Sequence, residues 1–175
     1  MFSLTYTSAY DPYHAVFRYI ALLKASEEKY MAARTLRVAD FFLCFPWKVE
    51  ELRAPRGVAG FTKQRNLLLK RYQPTVYDVL PDPRVVFERM ESMQLTAISA
   101  MLGAKLIKCE ESGTEDTYLQ ESHVSKALAN TVDGFIFEHN ELFMFLTRYL
   151  TQISIFGDGG IFSRSGLGEY RYDII

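Results

Sequence analysis

The side chains that carry out most enzyme chemistry do not fall into a known catalytic pattern in this chain. The three histidines, His14, His123 and His139, lie too far apart for the i, i+4 spacing with which two histidines of one helix bind a metal. The glycine-rich segment 157–168 lacks the Gly-Lys-Ser/Thr ending of a phosphate-binding loop. The sequence therefore predicts no catalytic residue, no cofactor and no metal site.

Acidic side chains are concentrated in one short segment, since residues 108–121 contain five acids and one base. A metal-dependent nuclease needs clustered carboxylates together with a lysine that polarises the phosphate, and no lysine motif follows here. Neighbouring acids in a turn are more often a solvated surface, and we predict that this one contacts a partner protein. The partner-contact candidates are Glu110, Glu111, Glu115 and Asp116.

Basic side chains are concentrated in residues 48–71, where seven bases and two acids give a net charge of +5. Such a stretch is as consistent with a solvated helix and loop as with a surface that contacts DNA. Contacts to phosphates alone require no base-reading geometry. The DNA-contact candidates are Arg53, Arg56, Lys63, Arg65, Lys70 and Arg71.

The overall composition is that of a globular protein, with 49% apolar and 23% charged residues, and we expect a single domain over 1–175. The formal net charge of -1 provides no general attraction to nucleic acid. Cys44 stands in an apolar run and is expected to be a buried, reduced thiol. Because we find neither a secretion signal nor an apolar run of about 18 residues, we expect a cytoplasmic protein without membrane contact.

Helical periodicity and capping residues predict most of the secondary structure. Asp11-Pro12 and Asp82-Pro83 are good helix starts, because aspartate accepts hydrogen bonds from the first N–H groups and proline suits the first turn. We expect the second of these helices to end before Ser92, which would cap another helix closed by a left-handed Gly103. The other helices are predicted over 32–45, 61–72 and 122–156.

A β-hairpin is predicted next, with strands at 106–109 and 117–119 joined by an acidic turn. Two helices followed by a hairpin are typical of a winged helix-turn-helix. The predicted fold is therefore mainly α with a small β-hairpin, in which a winged-helix-like core carries helical extensions at both ends. Its parts are an N-terminal helix in 1–30, the core in 31–121, C-terminal helices in 122–156 and a Gly/Tyr-rich tail in 157–175.

The distribution of charge disfavours conventional DNA reading by such a core. A recognition helix carries Arg, Lys, Asn or Gln toward phosphates and base edges. Residues 91–103, which would form this helix, contain no Arg or Lys. The hairpin segment 108–121, with five acids and one base, would repel the phosphates that a wing normally approaches.

Three segments resemble a known family. They are a Tyr-His-x-x-x-Arg motif from Tyr13, a Leu-Arg-x-x-Asp-Phe-x-Leu-x-Phe-Pro motif from Leu36, and an Arg-Ser-Gly-Leu-Gly segment from Arg164. Together they are similar to the middle component of bacterial ABC-three-component systems, the group that includes the Lamassu anti-phage and anti-plasmid operons. Within the second motif, Arg37 and Asp40 are spaced to pair on one helix flank.

This resemblance implies a non-catalytic accessory subunit. Its partners would be an SMC- or RecN-like ABC ATPase with a coiled coil, and an effector that is often a nuclease. The late segment adds Arg164 and Tyr170 as candidate partner contacts. The alternative from the fold alone is a stand-alone winged-helix transcription regulator, which would bind specific duplex DNA without a partner.

Overall fold

A computed structural model describes residues 8–110 and 115–168, and it shows a mainly helical protein with one small antiparallel sheet, which confirms the predicted fold class. The α-helices are α1 (Pro12–Ala25), α2 (Ala33–Cys44), α3 (Phe61–Arg71), α4 (Pro83–Gly103), α5 (Lys126–Glu138), α6 (Asn140–Met144) and α7 (Ile161–Ser165). The strands are β1 (Tyr30–Ala32), β2 (Ile107–Glu110) and β3 (Asp116–Leu119). Short 3-10 helices cover Pro46–Glu51, Glu121–His123 and Leu150–Gln152, and a π-helical turn covers Phe145–Tyr149.

The two Asp-Pro pairs start helices as predicted. The Asp11 carboxylate accepts hydrogen bonds from the backbone N–H groups of Tyr13 and His14, at 2.8 and 3.2 Å. The Asp82 carboxylate accepts one from the N–H of Arg84 at 2.9 Å. Each cap satisfies a donor that lacks a partner inside its own helix.

The predicted break at Ser92 is wrong, because α4 runs through it as one 21-residue helix. No glycine or proline interrupts this part of the chain, and Thr96 donates its hydroxyl to the Ser92 carbonyl at 2.8 Å as a helical threonine does. Gly103 is the last helical residue rather than the left-handed cap. The left-handed position belongs to Lys105, at φ 57°.

The predicted hairpin is confirmed by β2 and β3, which pair in antiparallel register with Ile107 opposite Leu119. The sequence did not reveal β1, which pairs antiparallel with β3 and places Tyr30 opposite Tyr118. A strand of three residues is too short to show the alternation that identifies a strand. The sheet order is therefore β1-β3-β2.

The order of the elements is compatible with a winged-helix-like core. The core would consist of α1, β1, α2, α4, β2 and β3, with Pro46–Glu51 and α3 inserted between α2 and α4. In this arrangement the helix that precedes the wing is the whole of α4. This helix packs most extensively against α1, and it also contacts α2, where the Phe41 ring lies edge-on to Phe87 at 6.0 Å between ring centroids.

The core is dominated by aromatic side chains of α2. Phe41, Phe42 and Phe45 are each at most 1% exposed, and Phe41 packs against both of the others. Cys44 is a buried free thiol as predicted, and burial raises its pKa. Among the described residues no helix is long and apolar enough to cross a bilayer.

The Gly/Tyr-rich tail contains the five-residue helix α7, which was not among the predicted helices. One helical turn is too short to produce a recognisable period in the sequence. Its Ile161 is fully buried, and the following Leu167 is nearly so. Residues 157–168 thus pack back onto the protein's own core.

Candidate functional site

The acidic hairpin brings two carboxylates face to face. Glu110 on β2 and Asp116 on β3 are direct cross-strand partners in the sheet. Like charges in this position destabilise a strand pair. Lys108 offsets part of this repulsion through an exposed ion pair with Glu110 at 3.3 Å. The end of the hairpin therefore concentrates negative charge on adjacent strands.

The other predicted hairpin acids differ in their surroundings. Glu115 is exposed and has a left-handed backbone, at φ 52°. Asp116 is partly buried in the sheet, and Glu111 lies outside the described residues. The structure thus places Glu110, Glu115 and Asp116 together at one end of the protein.

Two stacked tyrosines lie beside these acids. The rings of Tyr30 and Tyr118 are 5.0 Å apart at an interplanar angle of 21°, and the Lys108 ammonium lies 5.3 Å from the Tyr118 ring. Desolvation raises the pKa of Tyr118, and the charges of Glu110 and Asp116 raise it further. An aromatic surface with an acidic border is well suited to cationic side chains.

A cavity of about 390 Å³ opens next to the hairpin. It lies between the link that joins α1 to α2, the strand β3 and the π-helical turn. Its polar lining includes the carboxylates of Glu27, Glu28 and Asp116. The sequence did not suggest Glu27 or Glu28 as site residues, because they are far from the hairpin in the chain.

The basic stretch forms a second surface, on and before α3. This helix contains four bases and no acid. Arg56, Lys63 and Lys70 are exposed and form no ion pair with any described residue. Their charges are available to an external anion.

The other three DNA-contact candidates bind within the protein. Arg65 donates to the carbonyl of Leu52 at 2.7 Å. Arg53 donates to the carbonyl of Ser163 at 2.5 Å, and so ties the loop before α3 to the tail. Arg71 pairs with Glu141 at 2.9 Å, and this bond raises the pKa of Arg71. These three side chains already have acceptors within the protein, although Arg53 and Arg71 remain exposed.

The late segment is also engaged internally. Arg164 donates to the carbonyls of Ala54 and Gly159, each at 2.8 Å, and accepts from the N–H of Arg53 through its own carbonyl. The structure therefore gives Arg164 a fold-stabilising role. Tyr170, the other candidate, lies outside the described residues.

A metal centre does not form in the part of the chain that the structure describes, 8–110 and 115–168. No group of three or more His, Cys, Asp or Glu side chains there is placed to hold an ion. Of the histidines, His139 shares a hydrogen bond of 2.9 Å with the Tyr72 hydroxyl through its Nδ1 atom.

Comparison with known families gives a match over nearly the whole chain. Residues 4–173 match the model of ABC-three component (ABC-3C) system Middle Component 5. The chain belongs to this family. No curated protein and no solved structure matches it.

The first two resemblance segments of this middle component meet in a buried ion pair. Arg18, from the Tyr-His-x-x-x-Arg motif, donates its Nε to Asp40 at 2.5 Å and its Nη2 to the same carboxylate at 3.3 Å. Their side chains are 8% and 0% exposed. Burial acts to lower the pKa of Arg18, but the attraction of Asp40, its hydrogen bonds and the nearby Cys44 and Tyr19 together outweigh burial, so the pKa is raised. These motif residues therefore join α1 to α2.

The predicted pair of Arg37 with Asp40 is wrong. Arg37 instead bonds to the Gln94 side chain on α4 at 2.9 Å and pairs with Glu91 at 3.5 Å. Gln94 in turn donates to Asp40 at 3.0 Å. Asp40 therefore faces the core of the middle component, where it links α1, α2 and α4, while Arg37 lies on the flank of α2.

Proposed function

We propose that this middle component is a non-catalytic, cytoplasmic accessory subunit that bridges an SMC- or RecN-like ATPase and a nuclease-type effector in anti-phage or anti-plasmid defence. The observation that carries the proposal is the family match over residues 4–173, because a middle component belongs to a multi-subunit system. Two oppositely charged surfaces support it, since an adaptor must offer separate faces to separate partners.

The acidic hairpin end is the proposed contact for a protein partner. Its opposed Glu110 and Asp116 concentrate negative charge on adjacent strands, and a basic partner surface would complement this charge. Charge complementarity of this kind chiefly accelerates and orients association. The binding partner should therefore present a basic surface.

Removing hairpin charge should move stability and assembly in opposite directions. We expect Glu110→Gln with Glu115→Gln to raise the free energy of unfolding by about 0.2–1 kcal/mol, because cross-strand repulsion is lost. The same variant should co-purify with less of its partner. Chemical denaturation and quantitative affinity purification measure the two effects.

The matched control removes two charges elsewhere. Glu50→Gln with Glu88→Gln alters exposed acids outside the hairpin. It should leave partner recovery unchanged. Full partner recovery with the hairpin variant would remove this surface from the interface.

The basic surface is the proposed DNA contact within the assembled complex. The proposal concerns Arg56, Lys63 and Lys70, because Arg53, Arg65 and Arg71 are engaged in the fold. Contacts of this kind bind phosphates without reading sequence. They would hold DNA near the ATPase without selecting a site.

Neutralising these three side chains should weaken DNA binding by the complex and flatten its salt dependence. We expect Arg56→Gln, Lys63→Gln and Lys70→Gln together to reduce the slope of log K against log salt by about 2.7, at about 0.9 per lost contact. Electrophoretic or anisotropy titrations over a range of salt concentrations measure this slope. An unchanged slope would contradict the proposal.

A control triple variant, Arg89→Gln, Lys105→Gln and Lys126→Gln, removes the same charge elsewhere. A greater loss of binding in this control would favour the stand-alone winged-helix regulator, since Arg89 lies on α4, the helix that would read DNA, and Lys105 directly follows it. That alternative is supported by the element order of the core. It is opposed by α4, which carries no Arg or Lys between Arg89 and Lys105.

Affinity purification from the native host tests the proposed function directly. A large coiled-coil ATPase should elute with the middle component in a fixed ratio, together with an effector. Elution without partners, combined with salt-sensitive binding to one specific duplex, would support the regulator instead.

A further inference from the structure

The geometry points to the cavity beside the acidic hairpin as a socket for an arginine side chain from an extended segment of a partner protein. This inference rests on the proposed function, because it specifies how the acidic end binds its partner. The cavity of about 390 Å³ is large enough for a long side chain and open to solvent on one side. None of the residues that line it is a lysine or an arginine.

Thr35 provides the first sign that this cavity binds a ligand. Its residue is only 3% exposed, it lines the cavity, and its hydroxyl forms no hydrogen bond with any described residue. Other helical threonines, such as Thr96 and Thr147, donate their hydroxyls to the carbonyl four residues earlier. The Thr35 hydroxyl oxygen is not sealed from solvent, so water or a ligand can reach it from the cavity. A donor that enters the cavity would satisfy it.

The charge of the lining determines which donor fits. Glu27, Glu28 and Asp116 are the acidic residues among those that line it. Glu28 forms no ion pair with any described residue, and the partner of Glu27 is Arg148 at 3.4 Å, in a pair that is mostly exposed on both sides. Exposed pairs of this kind are weak and easily exchanged. The cavity therefore favours a cationic group over a neutral or anionic one.

A guanidinium group matches this set of acceptors better than an ammonium group. It carries five N–H donors in a planar fork, and can bond to a carboxylate and a hydroxyl at the same time. The acceptors here come from different parts of the chain, with Thr35 on α2 and Glu28 on the link before β1. Arginine is also the basic residue that is enriched at interfaces.

The surroundings of the cavity favour a protein segment over a small free cation. Strand β1 lines the cavity and is an edge strand, with β3 as its only partner among the described strands. An extended peptide can add to such an edge through its backbone while one side chain fills a pocket. The acidic surface also continues beyond the cavity to Glu110 and Glu115, where further basic residues of the segment would lie.

The test adds defined peptides to the full chain and measures their binding by NMR chemical-shift titration. The probe is acetyl-Val-Thr-Arg-Thr-Val-amide, and its analogue with citrulline in place of arginine keeps the shape but lacks the charge. We expect the arginine peptide to shift the signals of Thr35, Glu28 and Thr151. It should also bind at least about tenfold more tightly than the citrulline peptide, because hydrogen bonds from a charged group are stronger than those from a neutral one. Equal affinity for the two peptides would overturn the inference that the cavity binds an arginine side chain.

Two variants locate the contact, and a third is the control. Thr35→Val removes the hydroxyl with little change of shape. It should lower the affinity for the arginine peptide by about tenfold, with no loss of folding stability. Glu28→Gln should lower this affinity by about two- to fivefold, because an ion pair with an exposed carboxylate is weak. Glu138→Gln, on α5, should change nothing. Unchanged affinity in Thr35→Val, or shifts confined to Glu110 and Glu115, would contradict the inference.

A free polyamine is the competing occupant. Spermidine should bind more weakly than the arginine peptide and should fail to shift the β1 backbone signals. Tighter binding by spermidine would overturn the assignment to a protein segment. The peptide titrations use no other component of the system, so their failure is distinct from a failure of the co-purification that tests the proposed function.

Discussion

Replacing Asp40 by alanine is expected to lower the free energy of unfolding by about 3–5 kcal/mol, because the Arg18 guanidinium would be left buried without a counter-ion. The side chains of Asp40 and Arg18 are 0% and 8% exposed, so water cannot replace the lost carboxylate. Gln94 would lose an acceptor in the same step. Urea denaturation measures the loss through a lower midpoint.

The double variant Arg18→Met with Asp40→Leu separates the ion pair from general damage to the core. Apolar replacements of similar size often restore the stability lost when one partner of a buried pair is removed. We expect at least half of the loss to be recovered. Additive losses in the two single variants and the double variant would show that the two charges are not coupled.

Replacing Phe41 by alanine is expected to cost about 3–5 kcal/mol, as large-to-small changes of a buried aromatic residue do. Phe41 is fully buried, and its ring contacts Phe42, Phe45 and Phe87. At about 2–4 °C per kcal/mol for a chain of this size, the melting temperature should fall by about 6–20 °C. Thermal unfolding followed by circular dichroism measures the change.

Phe137→Ala is the matched control, since Phe137 is 85% exposed on α5. Surface substitutions of this kind usually change stability by no more than about 0.5 kcal/mol. A similar loss in both variants would mean that Phe137 is covered by another molecule under the conditions of measurement. A small loss in Phe41→Ala would contradict the central place of α2 in the core.

The caps and apolar periodicity were sufficient to predict most helices. Asp11 and Asp82 accept hydrogen bonds from residues two or three positions later, so the information lies within one helical turn. The errors arose where local sequence allowed two outcomes. Ser92 is a good cap when a turn precedes it, but here α4 continues through it as one helix that packs mainly against α1.

The candidate surfaces were only partly predictable. The sequence located the acidic hairpin and the basic stretch, because charge density is read directly from composition. It could not separate Lys63 and Lys70, which form no ion pair with the residues that the structure describes, from Arg65 and Arg71, which bind within the protein. That distinction depends on acceptors such as Glu141, 70 residues away from Arg71.

By itself, the sequence determined the helical class, the hairpin and the segregation of charge that disfavours conventional DNA reading. These properties depend on residues a few positions apart. Only the tertiary structure decided that Arg18, rather than Arg37, pairs with Asp40, that β1 joins the sheet, and that a cavity forms around Thr35 and Glu28. These contacts join elements distant in the chain, such as Asp40 and Gln94, 54 residues apart. They depend on how the helices cross and pack, which no local pattern specifies.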